Sequence, residues 1–214
     1  MAKLLLVKPG HCFWRLFQSS TDLGIMGCQS PTSGSMGCLM LYIRRVVLPP
    51  YQLAFKECFS PIVDAISGRD FIPAMVYGRN VRGQEFGGMY CAVLTVNSYV
   101  VSVGMLRIFG KDIAELPLVA TTNKDHGKGY FQTLFSCIER LLSFLNVKNL
   151  VLPAAEEAES IWTDKFGFSK MIPDQLISYR KNCHQMVTFK GTNMLHKTVP
   201  PCRIIHNQSW QSDI

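Results

Sequence analysis

The chain has 214 residues, 48% of them apolar, and a formal net charge of +7. That length supports one well-filled core with tails. No apolar run reaches the roughly 18 residues of a membrane span, and "MAKLLLVKPGHC" holds too short an apolar run for a secretory signal. The charge sits at the ends: residues 1–52 and 177–214 each sum to +4 and the stretch between them to −1. A basic nucleic-acid groove across the core is therefore not indicated, and direct DNA contact is left to a basic tail.

Residues 1–48 differ from the rest. "SSTDLGIMGCQSPTSGSMGC" is rich in Gly and Ser and poor in charge, which predicts a poorly ordered extension ending near Pro49-Pro50. One domain is expected over 49–205 and a flexible tail over 206–214. The eight cysteines form no CxxC pair, so no metal site is expected. Cys91 and Cys137, inside apolar runs, read as buried thiols of a reduced, intracellular protein.

A short helix fits 51–66, where Leu53, Phe55, Phe59, Ile62 and Ile66 give an apolar stripe broken at Pro61. "GRNVRGQEFGG" (78–88) reads as a polar loop facing a substrate. Three strand-like runs follow, "MYCAVLTVN", "SYVVSVGMLRIFG" and "IAELPLVATT", with turns at Asn97-Ser98 and Gly110-Lys111-Asp112. The period then changes: Phe131, Leu134, Phe135, Ile138, Leu141, Leu142 and Leu145 have helical spacing, predicting an amphipathic helix to about Asn146. "KNLVLP" predicts a buried strand and "AAEEAESIWTDKF" a second helix, with Glu156, Glu157 and Glu159 near its positive end. Segments around 176–180 and 185–190 read as further strands. The order of elements predicts an α/β (α+β) fold.

Between the third strand and the long helix lies "TTNKDHGKGYFQTLF". A glycine-rich loop opening a helix can cradle an anion, because the first helical amides lack partners and carry the positive end of the dipole. A Walker A loop is excluded, since Lys128 is followed by Gly129. A dinucleotide fingerprint is excluded, since Gln132 stands where a glycine is needed. A glycine helix start with no ligand remains the alternative.

His126 to Phe131 resembles the pyrophosphate loop of the GNAT (Gcn5-related) acyl-CoA N-acyltransferases, with His126 in place of Gln or Arg and Phe131 in place of a small residue. "IAELPLVATT" resembles that family's central strand and "IWTDKFGF" its aromatic-Gly-Phe signature. More narrowly, "GRDFIPAMVYGRNVRGQEFGGMYCAVLTVNS", "GYFQTLFSCIERLLSFLNVKNLVLPAAEEAESIWTDKFGF" and "GTNMLHK" resemble a plant family of nuclear proteins related to the "increased DNA methylation" histone acetyltransferase. Those proteins carry a PHD finger before a GNAT domain. The finger's cysteines and histidine are absent here, so the chain is expected to be a shortened member or an incomplete gene model whose first residues are not native.

The resemblance implies a GNAT fold, a mixed central sheet flanked by helices, and acetyl-CoA as co-substrate without a metal. It implies pyrophosphate binding by His126, Gly127, Lys128, Gly129, Tyr130 and Phe131. It assigns the thioester carbonyl and the pantetheine arm to the backbone of Leu118, Val119 and Ala120, and the role of general base to Glu115. Glu115 is the lone carboxylate in an otherwise apolar strand, and burial would raise its pKa toward the working range. Where many members carry a Tyr that protonates the leaving thiolate, Trp162 and Thr163 stand, and neither is a good acid. The expected function is direct acetyl transfer to a protein lysine, on histone tails, in the nucleus, among chromatin-associated proteins and away from membranes. The alternative is a GNAT-like interaction module of a chromatin complex with little or no catalysis.

Overall fold

The computed structural model describes residues 37–42 (backbone only), 58, 62, 70–81, 84–96, 99–183 and 185–201. The helix expected over 51–66 lies outside these residues, apart from helical Cys58 and from Ile62. The tail from 206 also lies outside them.

Helix α1 (Phe71–Tyr77) starts at Asp70, whose Oδ1 accepts the Ile72 N–H at 2.9 Å. The predicted meander follows as β2 (Met89–Val96), β3 (Tyr99–Phe109) and β4 (Ile113–Thr121), paired antiparallel in sequence order. β1 (Gly37–Tyr42), within the segment expected to be an extension, pairs antiparallel along the outer edge of β2. The long helix is α2 (Tyr130–Phe144), and the buried strand after it is β5 (Asn149–Ala155). The second helix splits into a short α3 (Glu156–Ser160) and a π-helical turn, Ile161–Lys165. Then come β6 (Ser169–Lys170), α4 (Pro173–Asn182) and β7 (Thr192–Thr198). The strands form one mixed sheet in the order β1-β2-β3-β4-β5-β7-β6, with β4 and β5 parallel.

Two expectations are corrected. Residues 176–180 lie inside α4. Pro173 presets the first helical φ, Gln175 reaches back to the Ile172 N–H, and Arg180 and Lys181 complement the C-terminal end of the dipole. Residues 185–190 form no strand, and the last strand begins at Thr192, after the turn at Gly191.

The core has two faces. Leu134, Ile138 and Leu142 of α2 pack on one face of the sheet with Leu106, Ala114 and Leu150. Each such leucine or isoleucine contributes about 2 kcal/mol by leaving water. On the other face α1 covers Val93, Val103 and Met105, while α4 and the chain after it cover Ile113, Val151 and Met194. Cys91 is a half-buried free thiol, whereas Cys137 is buried and disulfide-bonded, so the free thiol expected at 137 is not found.

Candidate active site

β4 stays paired with β3 as far as Thr121 but with β5 only from Ile113 to Glu115, opposite Asn149 to Val151. β5 meanwhile follows β7 to its own end at Ala155. The two central parallel strands therefore part after three residues and leave a cleft between 116–121 and 152–155. The cause is local. Against β3, Leu116 and Pro117 together oppose Leu106 alone, a bulge at a proline that has no N–H to give a ladder. The extra residue also turns the strand over. Ala114 and Leu116 pack on the α2 face, whereas Leu118 and Ala120 pack on the α1 face.

The edge of β4 facing the gap can be read from one bond. Thr122 N–H donates to Val101 O at 3.1 Å. Antiparallel ladders alternate, so Ala120 and Leu118 also direct their backbone groups toward β3, and Val119 and Thr121 direct theirs toward the gap. Thr121 O is already used, by His126 Nε2 at 2.7 Å and by the Cys58 thiol at 3.0 Å. Of the expected trio Leu118, Val119 and Ala120, it is Val119 that offers a backbone amide and carbonyl to the cleft, with no partner among the described residues.

At the open end of the cleft the chain enters α2. Gly127 and Gly129 both lie in the left-handed region, at φ 75 and 77. A Cβ built on either would meet nothing within 4 Å. Glycine is thus required there by backbone conformation, not by crowding. Gly129 is the N-cap, so the amides of Tyr130, Phe131 and Gln132 begin the helix with no upstream carbonyl to bond. The loop is braced from behind. Asp125 accepts from Thr122 Oγ1 at 2.6 Å and from Lys128 Nζ at 2.9 Å. Burial alone would raise the Asp125 carboxyl. The bonds from Thr122 and Lys128 and the charges of Lys128 and Lys124 outweigh it and hold the group below its usual range. The ammonium expected to face a phosphate is therefore shared with Asp125, while the exposed His126 ring ties the loop to the end of β4. The Phe131 ring points away into an aromatic cluster, 5.4 Å from Trp162 and 5.1 Å from Phe166. Only its amide faces the helix start.

Glu115 sits where β4 and β5 separate and is 1% exposed. Oε1 accepts Arg107 Nε at 2.7 Å and also meets Nη2 at 2.6 Å, while Oε2 accepts the Val187 N–H at 2.9 Å. Burial pushes the Glu115 carboxyl up. The Arg107 charge and the bonds from Val187 and Arg107 pull it back, and it remains raised. Arg107, 3% exposed, uses its remaining arms on Glu85 O, at 2.7 Å, and on Gln185 O, and lies over the Phe109 ring.

The family model of "Increased DNA methylation 1, C-terminal domain" matches residues 59–198. The chain belongs to that family. Increased DNA methylation 1 of Arabidopsis thaliana is 34% identical over 146 residues, which are 67% of this chain and 12% of that protein. The chain thus spans a small part of its relative's length. Among solved structures, the ribosomal-protein-S18-alanine N-acetyltransferase from Escherichia coli superposes with a TM-score of 0.51 at 11% identity, covering 80% of this chain and 99% of that one. N-acetylglutamate synthase from Neisseria gonorrhoeae, solved with coenzyme A and L-arginine, gives 0.50 at 14% identity, covering 75% and 33%. At such identities the likeness is one of fold, and the fold is that of the GNAT acyltransferases.

Within this family domain, Trp162 is core: it is 8% exposed and in ring contact with Phe131, Phe135, Phe166 and Phe168. Thr163 donates to Asp164 Oδ1 at 2.9 Å, so neither residue presents an acid to the cleft. Glu159 is held by Lys170 and Asn193 and closes a surface contact. Sequence reasoning missed Arg107, Asp125 and the 185–187 chain, which together organise the two ends of the cleft.

Proposed function

We propose that this domain binds acetyl-CoA and transfers its acetyl group to the amine of a protein lysine, with histone tails as the acceptor class. The observation that carries the reading is the continuity of one surface. The unpaired edge of β4 at Val119 runs directly into the Gly127–Gly129 loop and the open first turn of α2. An extended amide-bearing arm fits the first part and a pyrophosphate the second. Coenzyme A carries both, and it is bound in the N-acetylglutamate synthase structure of this fold. The lysine acceptor and a nuclear site of action rest on kinship with a protein named for DNA methylation.

In the proposed reaction the neutral amine attacks the thioester carbonyl, a C–N bond forms, the C–S bond breaks and coenzyme A leaves as a thiolate. The Val119 N–H is the backbone donor able to meet charge developing on the carbonyl oxygen. The expected base, Glu115, holds Arg107 and Val187 with its two oxygens. Taking up a proton there would leave a buried guanidinium without its counter-charge. The proposed route therefore passes the ammonium proton to water before attack and returns a proton from water to the thiolate.

A second reading, a domain that binds acetyl-CoA in a chromatin complex without turning it over, is favoured by one observation. Neither Trp162 nor Thr163 is placed to protonate the thiolate. Incubation with acetyl-CoA and a panel of histone-tail peptides, followed by mass spectrometry, tests the proposal. Peptides heavier by one acetyl group are expected. Acetyl-CoA binding with no acetylated peptide would replace the transferase reading with the second one.

A further inference from the structure

We infer that Arg107 and Glu115 are positioning residues whose ion pair fastens the 185–187 chain across the root of the β4–β5 cleft and so fixes the wall that receives the amine acceptor. The inference rests on the acetyl-transfer reading and names what sets the acceptor side of that site.

Glu115 is the last β4 residue paired with β5. On its face of the sheet it lies between two apolar clusters, one containing Met105, Leu118 and Val187, the other Ile113, Cys183 and Met186. The chain after α4 crosses from the second to the first, passing over the point where the strands part. Residues 185–187 belong to no helix or strand, so their backbone groups need partners from elsewhere. The ion pair supplies them: Val187 N–H goes to Glu115 Oε2 and Gln185 O takes Arg107 Nη2. A third arm, Arg107 Nη1 to Glu85 O, holds the chain that leads into β2. One guanidinium thus joins two distant segments to the central strands. Gln185 Nε2 repeats that link nearer the surface, 3.3 Å from Glu85 Oε2. A donor whose phosphates rest at 127–131 and whose carbonyl meets the Val119 N–H lies along β4 with its thioester end toward this root, and Val187 packs in one apolar cluster with Leu118 and Ala120, the neighbours of Val119. The fastened chain then borders the reacting carbon on the side away from the donor's phosphates. Because the pair is dry, removing one partner strands a charge, whereas replacing both by apolar groups keeps the packing.

The test measures kcat, acceptor KM and acetyl-CoA-induced thermal stabilisation for wild type, Glu115→Gln, Arg107→Gln and the double variant Arg107→Met/Glu115→Leu, across pH, with amide exchange over 185–189. The double variant keeps the experiment interpretable where a single change fails to fold. We expect all folded variants to raise acceptor KM by about tenfold or more, the scale of a lost positioning contact. Exchange at 185–189 should be faster, while the stabilisation by acetyl-CoA and the pH dependence of kcat stay as in wild type. Loss of kcat confined to Glu115→Gln, together with loss of an ionisation from its pH profile, would overturn the inference and make Glu115 the proton acceptor. Unchanged acceptor KM and unchanged exchange in every variant would also overturn it. A wild-type protein without turnover refutes the transfer reading and the acceptor role with it, and the exchange data then decide the fastening separately.

Discussion

Replacing Gly127 and Gly129 together by alanine separates conformation from contact at the helix start. Both residues sit at positive φ, and neither has a heavy atom within 4 Å of the position a Cβ would take. The methyl groups therefore meet no obstacle, and the cost is that of the left-handed conformation, about 1–2 kcal/mol at each site. For a domain of this size that lowers Tm by roughly 2–4 °C per kcal/mol. The two alanines have a second course, which is to let the loop relax to negative φ. That saves most of the cost but changes the direction in which the chain enters α2 and so displaces the open amides of 130–132. Because it saves most of the cost, this second course is the one expected, and it degrades the cradle for an anion. Acetyl-CoA at about 100 times its Kd should stabilise the wild type by about 2.7 kcal/mol, and the double variant should lose most of that gain. Gly110 supplies the control. It also has positive φ with nothing within 4 Å, but it lies in the β3–β4 turn at the far end of β4. Gly110→Ala should carry the cost of one such site, about 1–2 kcal/mol, and keep the full response to acetyl-CoA. Differential scanning calorimetry or fluorimetry with and without acetyl-CoA reads all three proteins. A double variant that responds as wild type does would refute the assignment of this junction to the donor's phosphates.

Two further outcomes follow from the same geometry. Asp125 has a folded-state pKa below its unfolded value, so its contribution to stability is complete above the unfolded value and disappears as pH falls through the folded one. Wild type should therefore lose stability on acidification, and Asp125→Asn should flatten that limb of the Tm-against-pH curve; parallel curves would show the Thr122–Asp125–Lys128 brace to be idle. Phe135 is 2% exposed and touches Trp162, Phe166 and Phe168. Phe135→Ala should cost about 3–5 kcal/mol in urea unfolding, and a loss under about 1 kcal/mol would mean that the cluster collapses to fill the cavity.

The meander, the long helix and the strand after it are legible because each carries an uninterrupted period: apolar and β-branched runs for β2 to β5, a repeat of three and four for α2. The glycine junction is legible because its residue types have few other uses. α4 was not legible from periodicity. Its sequence, "PDQLISYRKN", is polar nearly all round, so the signals that define it are its ends, Pro173 at the start and Arg180-Lys181 at the finish. The 185–190 stretch has strand-like residues but spends its amide on a side chain, Glu115, and no local pattern announces that. The Arg107–Glu115 pair did leave a trace. Each is a lone charge in an apolar strand, and they stand three residues before Gly110 and three after Asp112, so the turn between them sets them opposite each other. Reading Glu115 alone gives a base; reading it with its cross-strand neighbour gives an ion pair.

That distinction has a kinetic form. A lysine ammonium with a pKa of ~10.4 is about 3.4 units above pH 7, so presenting the free amine costs about 4.6 kcal/mol. A base near the amine takes that cost into the enzyme, and the rate then levels off once the base is ionised. If Glu115 is occupied by Arg107 and Val187, the proton leaves through solvent. Activity at low acceptor concentration should then rise about tenfold for each pH unit until the ammonium itself titrates. The Glu115→Gln profile should keep that slope while lying below wild type, because the acceptor fits less well. A plateau near neutrality that vanishes in Glu115→Gln would instead require that the carboxylate exchange its hold on Arg107 for a proton from the substrate. The buried guanidinium would then need the departing thiolate, or another anion, as its new counter-charge.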